Sequence, residues 1–298
     1  MFDSIDQTIA ALAAEDYVAD VGLATSLFLS MRMGKSLFLE GEPGVGKTEV
    51  AKVTSRILGA PLIRLQCYEG LDVNHALYEW NYARQLLEIQ GRRNDSASPA
   101  SSAGGVFTEE FLIRRPLLQA IDAGRERSPV LLIDELDRAD EEFESFLLEL
   151  LSDFQVTIPE IGTITAKHRP IVFITSNRTR EVHDALKRRC IYHWIEYPAL
   201  ATELEIVRRK VHGASAQLAV QVVHFVQSLR SEELFKRPGV AETLDWAEAL
   251  THLGARALDE AVVSASLGLL LKYQDDVESV RGPVARRLVE QALSTSNG

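Results

Sequence analysis

The chain has 298 residues, enough for one large domain and a smaller one, and its 46% hydrophobic and 25% charged residues are typical of a globular protein. Its 43 acidic and 32 basic residues give a formal net charge of −11, so it gains no general attraction to nucleic acid or anionic lipid, although a local basic groove would be compatible with that charge. Two cysteines are too few for a disulfide scaffold, and residues 1–14 lack the basic start of a signal peptide. With no apolar run long enough for a membrane span, we expect a cytoplasmic protein.

Short apolar runs rich in Ile, Leu and Val recur through the first two thirds of the chain. They predict buried strands at 37–39, 61–65, 130–133, 171–175 and 191–196. Helical spacing fills several of the gaps, at 48–58, 111–123 and 142–154. Strands that alternate with helices predict an α/β fold with a parallel sheet covered on both faces.

The strand pattern ends at Pro198. The segments that follow show helical periodicity, at 201–212, 215–230, 241–252, 257–275 and 283–293. We therefore expect an α/β nucleotide-binding domain over residues 1–198 and a small all-helical domain over 199–298. Residues 94–105 are Ser-, Ala- and Gly-rich with almost nothing to bury, which predicts a mobile loop.

A glycine-rich segment follows the first predicted strand and leads into a predicted helix. The pattern G-x4-G-K-[ST] in this context is typical of a phosphate-binding loop, whereas a plain surface turn is the alternative. Lys47 is expected to reach the β- and γ-phosphates of ATP, and the Thr48 hydroxyl to coordinate Mg²⁺. The predicted nucleotide-binding residues are Gly41, Glu42, Pro43, Gly44, Val45, Gly46, Lys47, Thr48, Glu49 and Asp134.

The predicted strand 130–133 is followed by two adjacent carboxylates, Asp134 and Glu135. In open parallel sheets, ligands bind at the carboxyl ends of strands. Asp134 is expected to hold Mg²⁺, through water, and Glu135 to orient and deprotonate the attacking water. Because consecutive strand residues point to opposite sides, the turn after Ile133 must bring both side chains to one side. The structural alternative is an acidic helix start.

Two further polar positions complete a hydrolytic set. Asn177, after the strand 171–175, is expected to bond the γ-phosphate and the attacking water, although Asn at this place is also a common turn residue. The segment Lys187-Arg188-Arg189-Cys190 offers guanidinium groups suited to a γ-phosphoryl group in transfer, and its position near the domain's end suits donation into a neighbouring subunit's site. A solvated basic helix end is the equally weighted alternative.

These elements, in this order, resemble those of the AAA+ ATPases, and other segments look like the MoxR branch and its CoxD-type members. The similarity runs from about Tyr17 to the end of the helical region. The segments that carry the narrower resemblance are 63–72, 76–82, 115–120 and 242–247.

The resemblance implies a ring, usually a homo-hexamer, with ATP between subunits and a helical lid that senses the nucleotide. It makes Arg189 the first candidate for a trans-acting arginine, with Arg188 second. MoxR-type proteins are chaperones of metalloenzymes and other complexes, often with a von Willebrand factor A partner. CoxD-type members are associated with maturing molybdenum-containing carbon monoxide dehydrogenase and its relatives.

One position departs from the family pattern. The lid commonly offers an arginine to the γ-phosphate, yet Ala241 stands about where that residue would fall, with Lys236 and Arg237 slightly upstream. A second sensor is therefore not assigned.

Other segments leave their roles open. The aromatic residues Tyr68, Tyr78, Trp80 and Tyr82 favour core packing over a client-binding surface. Cys67 is expected to be a small buried hydrophobe. The alternation of 155–164 predicts a hairpin that either reaches substrate or lies plainly on the surface.

The leading hypothesis is a Mg²⁺-dependent, ring-forming ATPase that remodels or matures a protein client. A motor acting on nucleic acid is the first alternative, disfavoured by the acidic charge and by the lack of an appended DNA-binding motif. A nucleotide-dependent scaffold without turnover is the second, disfavoured by Glu135 and Asn177.

Overall fold

The computed structural model describes residues 2–94, 105–121 and 127–295. The helices in these ranges are α1 (Ile5–Ala14), α2 (Val21–Met33), α3 (Lys47–Leu58), α4 (Val73–Ala76), α5 (Tyr82–Asn94), α6 (Pro116–Ile121), α7 (Glu141–Asp153), α8 (Asp184–Lys187), α9 (Leu200–Lys210), α10 (Ala216–Leu229), α11 (Val240–His252), α12 (Glu260–Leu270), α13 (Gln274–Val280) and α14 (Pro283–Thr295). The strands are β1 (Leu37–Gly41), β2 (Leu62–Gln66), β3 (Tyr78–Trp80), β4 (Leu112–Arg114), β5 (Val130–Asp134), β6 (Gln155–Ile158), β7 (Gly162–Thr165), β8 (Ile171–Ser176) and β9 (Ile191–Ile195). Among the helices described, none is both long and apolar enough to cross a membrane.

Five strands form one sheet in the order β2–β5–β8–β1–β9. β2 pairs in parallel with β5, β5 with β8, and β8 with β1. Every residue of β1 and β5 is buried, as expected for strands covered on both faces by other elements. The predicted parallel sheet is therefore confirmed. Because parallel strands end at the same edge, Glu40, Asp134 and Ser176 all lie at its carboxyl edge.

Most predicted elements are confirmed, and two are wrong. The segment 111–123 was expected to be one helix, but Leu112–Arg114 pairs as a strand with β3 and the helix begins at Pro116. Proline has no N–H to donate and suits the first turn of a helix, so it fixes this start. In the segment 257–275, helix α12 ends at Leu270, and after Leu271–Tyr273 the last two residues already belong to α13. The predicted hairpin at 155–164 is confirmed as the antiparallel pair β6–β7.

The chain divides into two compact units. The first contains Met1–Ser4, Thr25–Glu40 and Ala51–His193, and the second contains Ile5–Ala24, Gly41–Val50 and Trp194–Gly298. The expected domains, 1–198 and 199–298, stay a prediction. Within the predicted loop 94–105, residues 95–104 lie outside the described residues, as do residues 122 and 123 of the predicted helix.

The core of the first unit forms around the sheet and helix α7. Phe38, Leu131, Ile133, Phe143 and Leu147 are all buried in one cluster. Helix α7 begins where the Asp140 carboxylate accepts a hydrogen bond from the Phe143 N–H at 2.8 Å, which satisfies a backbone donor left free by the helix start. Its first turn is acidic, which complements the positive end of the helix dipole.

The predicted aromatic cluster divides between the core and the surface. Trp80 is buried and Tyr78 is half-buried, as predicted for core residues. The prediction is wrong for Tyr68 and Tyr82, which are 47% and 61% exposed. Cys67 is confirmed as a buried free thiol in the first core.

The core of the second unit is built by helices α9 to α14. Trp246 of α11 and Phe225 of α10 are fully buried with ring centroids 5.0 Å apart. The same core holds an ion pair, in which Arg230 donates to both oxygens of Glu203 at 2.6 and 2.7 Å. A charge pair this buried needs its full set of hydrogen bonds, and the Thr243 hydroxyl adds one to Glu203 at 2.8 Å.

Candidate functional site

The glycine-rich loop lies between the end of β1 at Gly41 and the start of α3 at Lys47, in the second unit. Gly44 and Gly46 have φ angles of +79° and +98°, which side chains with a Cβ rarely adopt. Among the described residues, the N–H groups of Gly44, Val45 and Gly46 take part in no hydrogen bond. The loop thus retains backbone donors of the kind that bind phosphate oxygens.

Lys47 is buried within this loop. Its Nζ donates to the carbonyl oxygens of Gly41 at 2.8 Å and of Glu42 at 2.7 Å. A buried ammonium next to unused N–H donors fits an anionic ligand. Thr48 and Glu49 follow in the first turn of α3, where both are half-buried, and Glu49 lies 3.9 Å from Lys210.

The start of helix α11 packs directly on the loop within the same unit. The Ala241 N–H donates to the Gly44 carbonyl at 3.1 Å. A Cβ at Gly239 would lie 2.6 Å from the Pro43 carbonyl oxygen, so only glycine allows this approach. The Glu242 carboxylate accepts from the Gly239 N–H at 2.9 Å and closes the first turn. Ala241, at the position where the resemblance implies an arginine, therefore contacts the loop through its backbone.

Tyr17 is a loop neighbour that sequence reasoning missed. Its hydroxyl lies 3.7 Å from the position that a Cβ of Gly46 would take. Burial raises the pKa of this phenol, and the charges of Asp20 and Glu49 raise it further, so the hydroxyl stays protonated. An aromatic residue more than twenty positions before the loop gives no local signal of this contact.

The predicted carboxylates lie in the first unit, at the carboxyl end of β5. Asp134 is 2% exposed, and both of its oxygens have partners. Oδ2 accepts from Arg64 Nε at 2.9 Å and Nη2 at 2.6 Å, and Oδ1 accepts from the Thr175 hydroxyl at 2.5 Å. The Arg64 pair satisfies a carboxylate that burial alone would destabilise.

Glu135 leaves the strand in a left-handed conformation, with φ 55° and ψ 51°. This conformation is uncommon for a residue other than glycine and is a form of local strain found at functional sites. The Glu135 N–H donates to the Thr175 hydroxyl at 2.9 Å, so one hydroxyl holds both carboxylate residues. The Glu135 side chain is 31% exposed and lies 2.8 Å from Arg138.

Asn177 is held at the end of β8 through its backbone. Its N–H donates to Asp137 at 3.2 Å, and the N–H and hydroxyl of Thr179 donate to the same carboxylate at 2.9 and 2.7 Å. Asp137, 2% exposed, therefore fixes the turn after β8. The sequence offered one signal for it, a third acidic residue shortly after Asp134 and Glu135. Within the first unit, the structure brings Asp134, Glu135 and Asn177 to one edge of the sheet.

The electrostatic environment of this edge is negative. The pKa of the Cys67 thiol is raised to about 12, mainly by burial and then by the nearby charges of Asp134, Asp137 and Glu135. Cys67 follows β2, and its N–H donates to the Asp134 carbonyl at 2.8 Å. These neighbouring carboxylates disfavour the ionised form of the Cys67 thiol.

The two candidate arginines have different surroundings in the turn after α8. Arg189 donates from Nη1 to the Leu148 carbonyl at 2.8 Å and also contacts the Ser152 hydroxyl, so it is held against the C-terminal half of α7. The Arg188 side chain is 81% exposed, and its ion pair is with the 80% exposed side chain of Asp184, at 3.5 Å. Arg188 thus points to solvent, whereas Arg189 is engaged within its own unit.

Residues 36–190 match the family model described as an AAA domain of the dynein-related subfamily, over more than half of the chain. The chain therefore belongs to this family, and its fold is that of the P-loop AAA+ ATPases.

Individual relatives are distant. The chain is 25% identical over 279 residues to a mitochondrial Lon protease homolog of Phaeodactylum tricornutum, covering 89% of this chain and 25% of that protein. It thus spans a quarter of the length of that curated relative. A RuvB mutant of Thermotoga maritima matches at 16% identity and TM-score 0.49, covering 93% of this chain and 75% of that one. A candidate ATPase of Cytophaga hutchinsonii matches at 16% identity and TM-score 0.48, covering 97% and 93%. At these similarities no relative indicates what this chain acts on.

Proposed function

We propose that this protein is a Mg²⁺-dependent ATPase that hydrolyses ATP to ADP and phosphate. The observation that carries the proposal is the end of β5, where buried Asp134 and partly exposed Glu135 share the hydroxyl of Thr175. A general base needs an accessible carboxylate, and a residue that holds a hydrated metal ion needs a fixed one. The two neighbouring residues meet these different needs.

The chain's own residues then have distinct roles. Lys47 and the N–H groups of Gly44, Val45 and Gly46 bind the β- and γ-phosphates. Glu135 accepts the proton of the attacking water at its carboxylate, and Asn177 orients that water. The turn that fixes Asn177 is held by Asp137.

We propose that the hydrolysis also depends on a magnesium ion. Thr48 and Asp134 would hold it, through the hard oxygen donors that Mg²⁺ prefers. Since Arg64 and Thr175 already contact both Asp134 oxygens, we expect Asp134 to act through a water ligand. Within the described ranges there is no group of three or more His, Cys, Asp or Glu side chains arranged to hold a metal, so nucleotide oxygens and water would complete the set. When bound, Mg²⁺ neutralises charge on the phosphate oxygens.

We further propose that the protein acts as a homo-hexameric ring in which one subunit donates an arginine to its neighbour's nucleotide. Arg189 is the first candidate from the sequence, but its hydrogen bonds to α7 favour a structural role. The high exposure of Arg188, and its contact with only the exposed Asp184 among the described residues, support Arg188 as the donor.

For the client, the resemblance to MoxR-type and CoxD-type proteins supports a chaperone that remodels or matures a protein. A molybdenum-containing dehydrogenase, such as carbon monoxide dehydrogenase, is the proposed client, and a von Willebrand factor A protein the proposed partner. The net charge of −11 disfavours a nucleic-acid substrate.

Phosphate release from ATP tests the proposed activity. We expect turnover that stops when Mg²⁺ is chelated or when Lys47 is changed to Ala, and that does not rise on adding DNA. The exposed Lys167→Met variant serves as a charge-matched control and should turn over at the parental rate. Absence of turnover by the parent protein would refute hydrolysis, and a salt-sensitive rate increase with DNA would favour a nucleic-acid motor.

Client maturation is tested in cells that produce the dehydrogenase with either parent protein or Glu135→Gln. Only the parent should give active, metal-loaded enzyme. Equal metal loading with both proteins would refute ATP-driven maturation of this client.

A further inference from the structure

Lys187, the last residue of α8, reaches a buried carboxylate at the end of β1. Its Nζ lies 3.4 Å from each oxygen of Glu40 and 3.3 Å from an oxygen of Glu181. The Glu40 side chain is 3% exposed and that of Lys187 19%. The ammonium also lies over the rings of Phe38 and Tyr192, at 5.6 and 6.0 Å from their centroids. Carboxylates and aromatic faces together hold this cation in one place.

Glu40 links three neighbouring strands of the sheet. Besides Lys187, it accepts from the Ser176 hydroxyl of β8 at 3.1 Å and from the Tyr192 hydroxyl of β9 at 2.9 Å. The pKa of Tyr192 is raised to about 12, first by burial and then by its bond to Glu40, so this hydroxyl remains a donor at neutral pH. A buried carboxylate with three such partners is a fixed anchor for Lys187.

The turn that follows Lys187 is anchored on both sides of Arg188. On one side, Lys187 enters the buried cluster at Glu40. On the other side, Arg189 donates a hydrogen bond to the Leu148 carbonyl of α7. Backbone hydrogen bonds close the turn, from Arg188 to Asp184 at 3.0 Å and from Cys190 to Lys187 at 3.1 Å. The backbone at Arg188 is therefore fixed, while its side chain keeps only an exposed ion pair that solvent screens.

We infer that Lys187 is a positioning residue whose bond to Glu40 fixes the direction in which Arg188 is presented to a neighbouring subunit. This inference rests on the proposed function, in which an arginine acts in trans. Lys187 itself is not proposed to contact the nucleotide. It acts through Arg188, and removing its charge should impair donation of the arginine while leaving the subunit's own nucleotide site able to turn over.

Mixed rings separate this role from a purely structural one. Lys187→Met keeps the length of the side chain and removes its charge, so such a subunit should accept an arginine but not donate one. Glu135→Gln should donate but not hydrolyse. Lys187→Met alone is expected to be at least about tenfold slower than the parent, consistent with loss of a transition-state charge contact, and Glu135→Gln should be slower still because it lacks the base.

An equal mixture should recover activity. In a ring with head-to-tail interfaces, half of the sites are competent acceptors and half of their neighbours are competent donors, giving about a quarter of the parental rate. Arg188→Ala mixed with Glu135→Gln is the reference pair and should recover similarly. Lys187→Arg, which keeps the charge, should rescue the single variant, and Lys167→Met should behave as the parent.

Failure of the Lys187→Met mixture, while the Arg188→Ala mixture recovers, would overturn the inference and leave the proposed function standing. Failure of both mixtures would refute donation in trans and the inference with it. Parental activity of Lys187→Met alone would also overturn it. Should Lys187→Met unfold because Glu40 loses its cation, the double variant Glu40→Gln/Lys187→Met removes both charges and carries the same expectations.

Discussion

The close contact between Gly239 and the phosphate loop gives a direct test of how the loop is held. In Gly239→Ala, the new Cβ would lie 2.6 Å from the Pro43 carbonyl oxygen and 2.9 Å from the Gly44 Cα. Ordinary contact begins at 3.4 Å, so backbone must separate from backbone by about 0.8 Å. Since φ of Gly239 is −81°, an alanine is not strained by its own backbone, and the cost comes from the contact alone.

The size of the effect follows from three contributions. Forcing a methyl group into a packed contact costs about 1–3 kcal/mol. Moving the Gly239 backbone away from the loop also weakens the hydrogen bond from the Ala241 N–H to the Gly44 carbonyl, which contributes about 1 kcal/mol. Reduced freedom of the unfolded chain offsets about 0.4–1 kcal/mol. We expect a net loss of about 2 kcal/mol, which lowers the unfolding temperature by roughly 4–8 °C.

Thermal unfolding with and without Mg²⁺-ATP measures this loss, and displacement of Gly44 should also weaken the stabilisation by nucleotide. Gly268→Ala is the matched control, because Gly268 lies in α12 of the same unit with nothing within 4 Å of its added Cβ. The free energy of unfolding of the Gly268→Ala control should be unchanged or raised by up to about 1 kcal/mol. If Gly239→Ala unfolds at the parental temperature, the close packing of α11 on the loop is wrong.

Three further changes test separate parts of the structure. Thr175→Val removes the hydroxyl that holds Asp134 and Glu135, so it should lower the free energy of unfolding in urea by about 1–3 kcal/mol and slow turnover. Thr175→Ser keeps the hydroxyl and should change neither the stability nor the turnover. Equal stability of the two variants would contradict this role of Thr175. Arg230→Met leaves Glu203 buried without its cation and should cost about 3–5 kcal/mol by the same measurement; a loss below about 1 kcal/mol would contradict the buried pair. The pKa of Cys67 is about 12 in the folded protein and about 8.5 in the unfolded chain. Its contribution to stability is therefore fully present below pH ~8.5 and is lost as the pH rises towards 12. Urea unfolding between about pH 7 and 10 should show this decline in the parent protein and less of it in Cys67→Ala.

The local sequence pattern was sufficient to predict the parallel sheet and the motifs at its carboxyl edge. Strands β1, β5 and β8 each begin with an uninterrupted apolar run, which is typical of strands buried on both faces of a sheet. The turn required after Ile133 is also observed, as the left-handed conformation of Glu135.

The partners of the motif residues could not be predicted, because they come from distant parts of the sequence. Arg64 and Asp134 are 70 positions apart, and Glu40 and Lys187 are 147 apart. The local sequence does not indicate these pairs, because many other cationic residues of the chain could equally well have been the partner of either carboxylate. The strand at Leu112–Arg114 was missed for a related reason: its pairing with β3 overrides an apolar spacing that suits a helix.

The central claim is that Glu135 is the base for ATP hydrolysis, and a single-turnover measurement on Glu135→Gln tests it most directly. The amide keeps the size of the side chain but cannot accept the proton of water. We predict that the variant binds Mg²⁺-ATP as tightly as the parent and hydrolyses it at least about 100-fold more slowly, in line with loss of general-base catalysis. Hydrolysis at the parental rate by the fully folded variant would contradict the assignment.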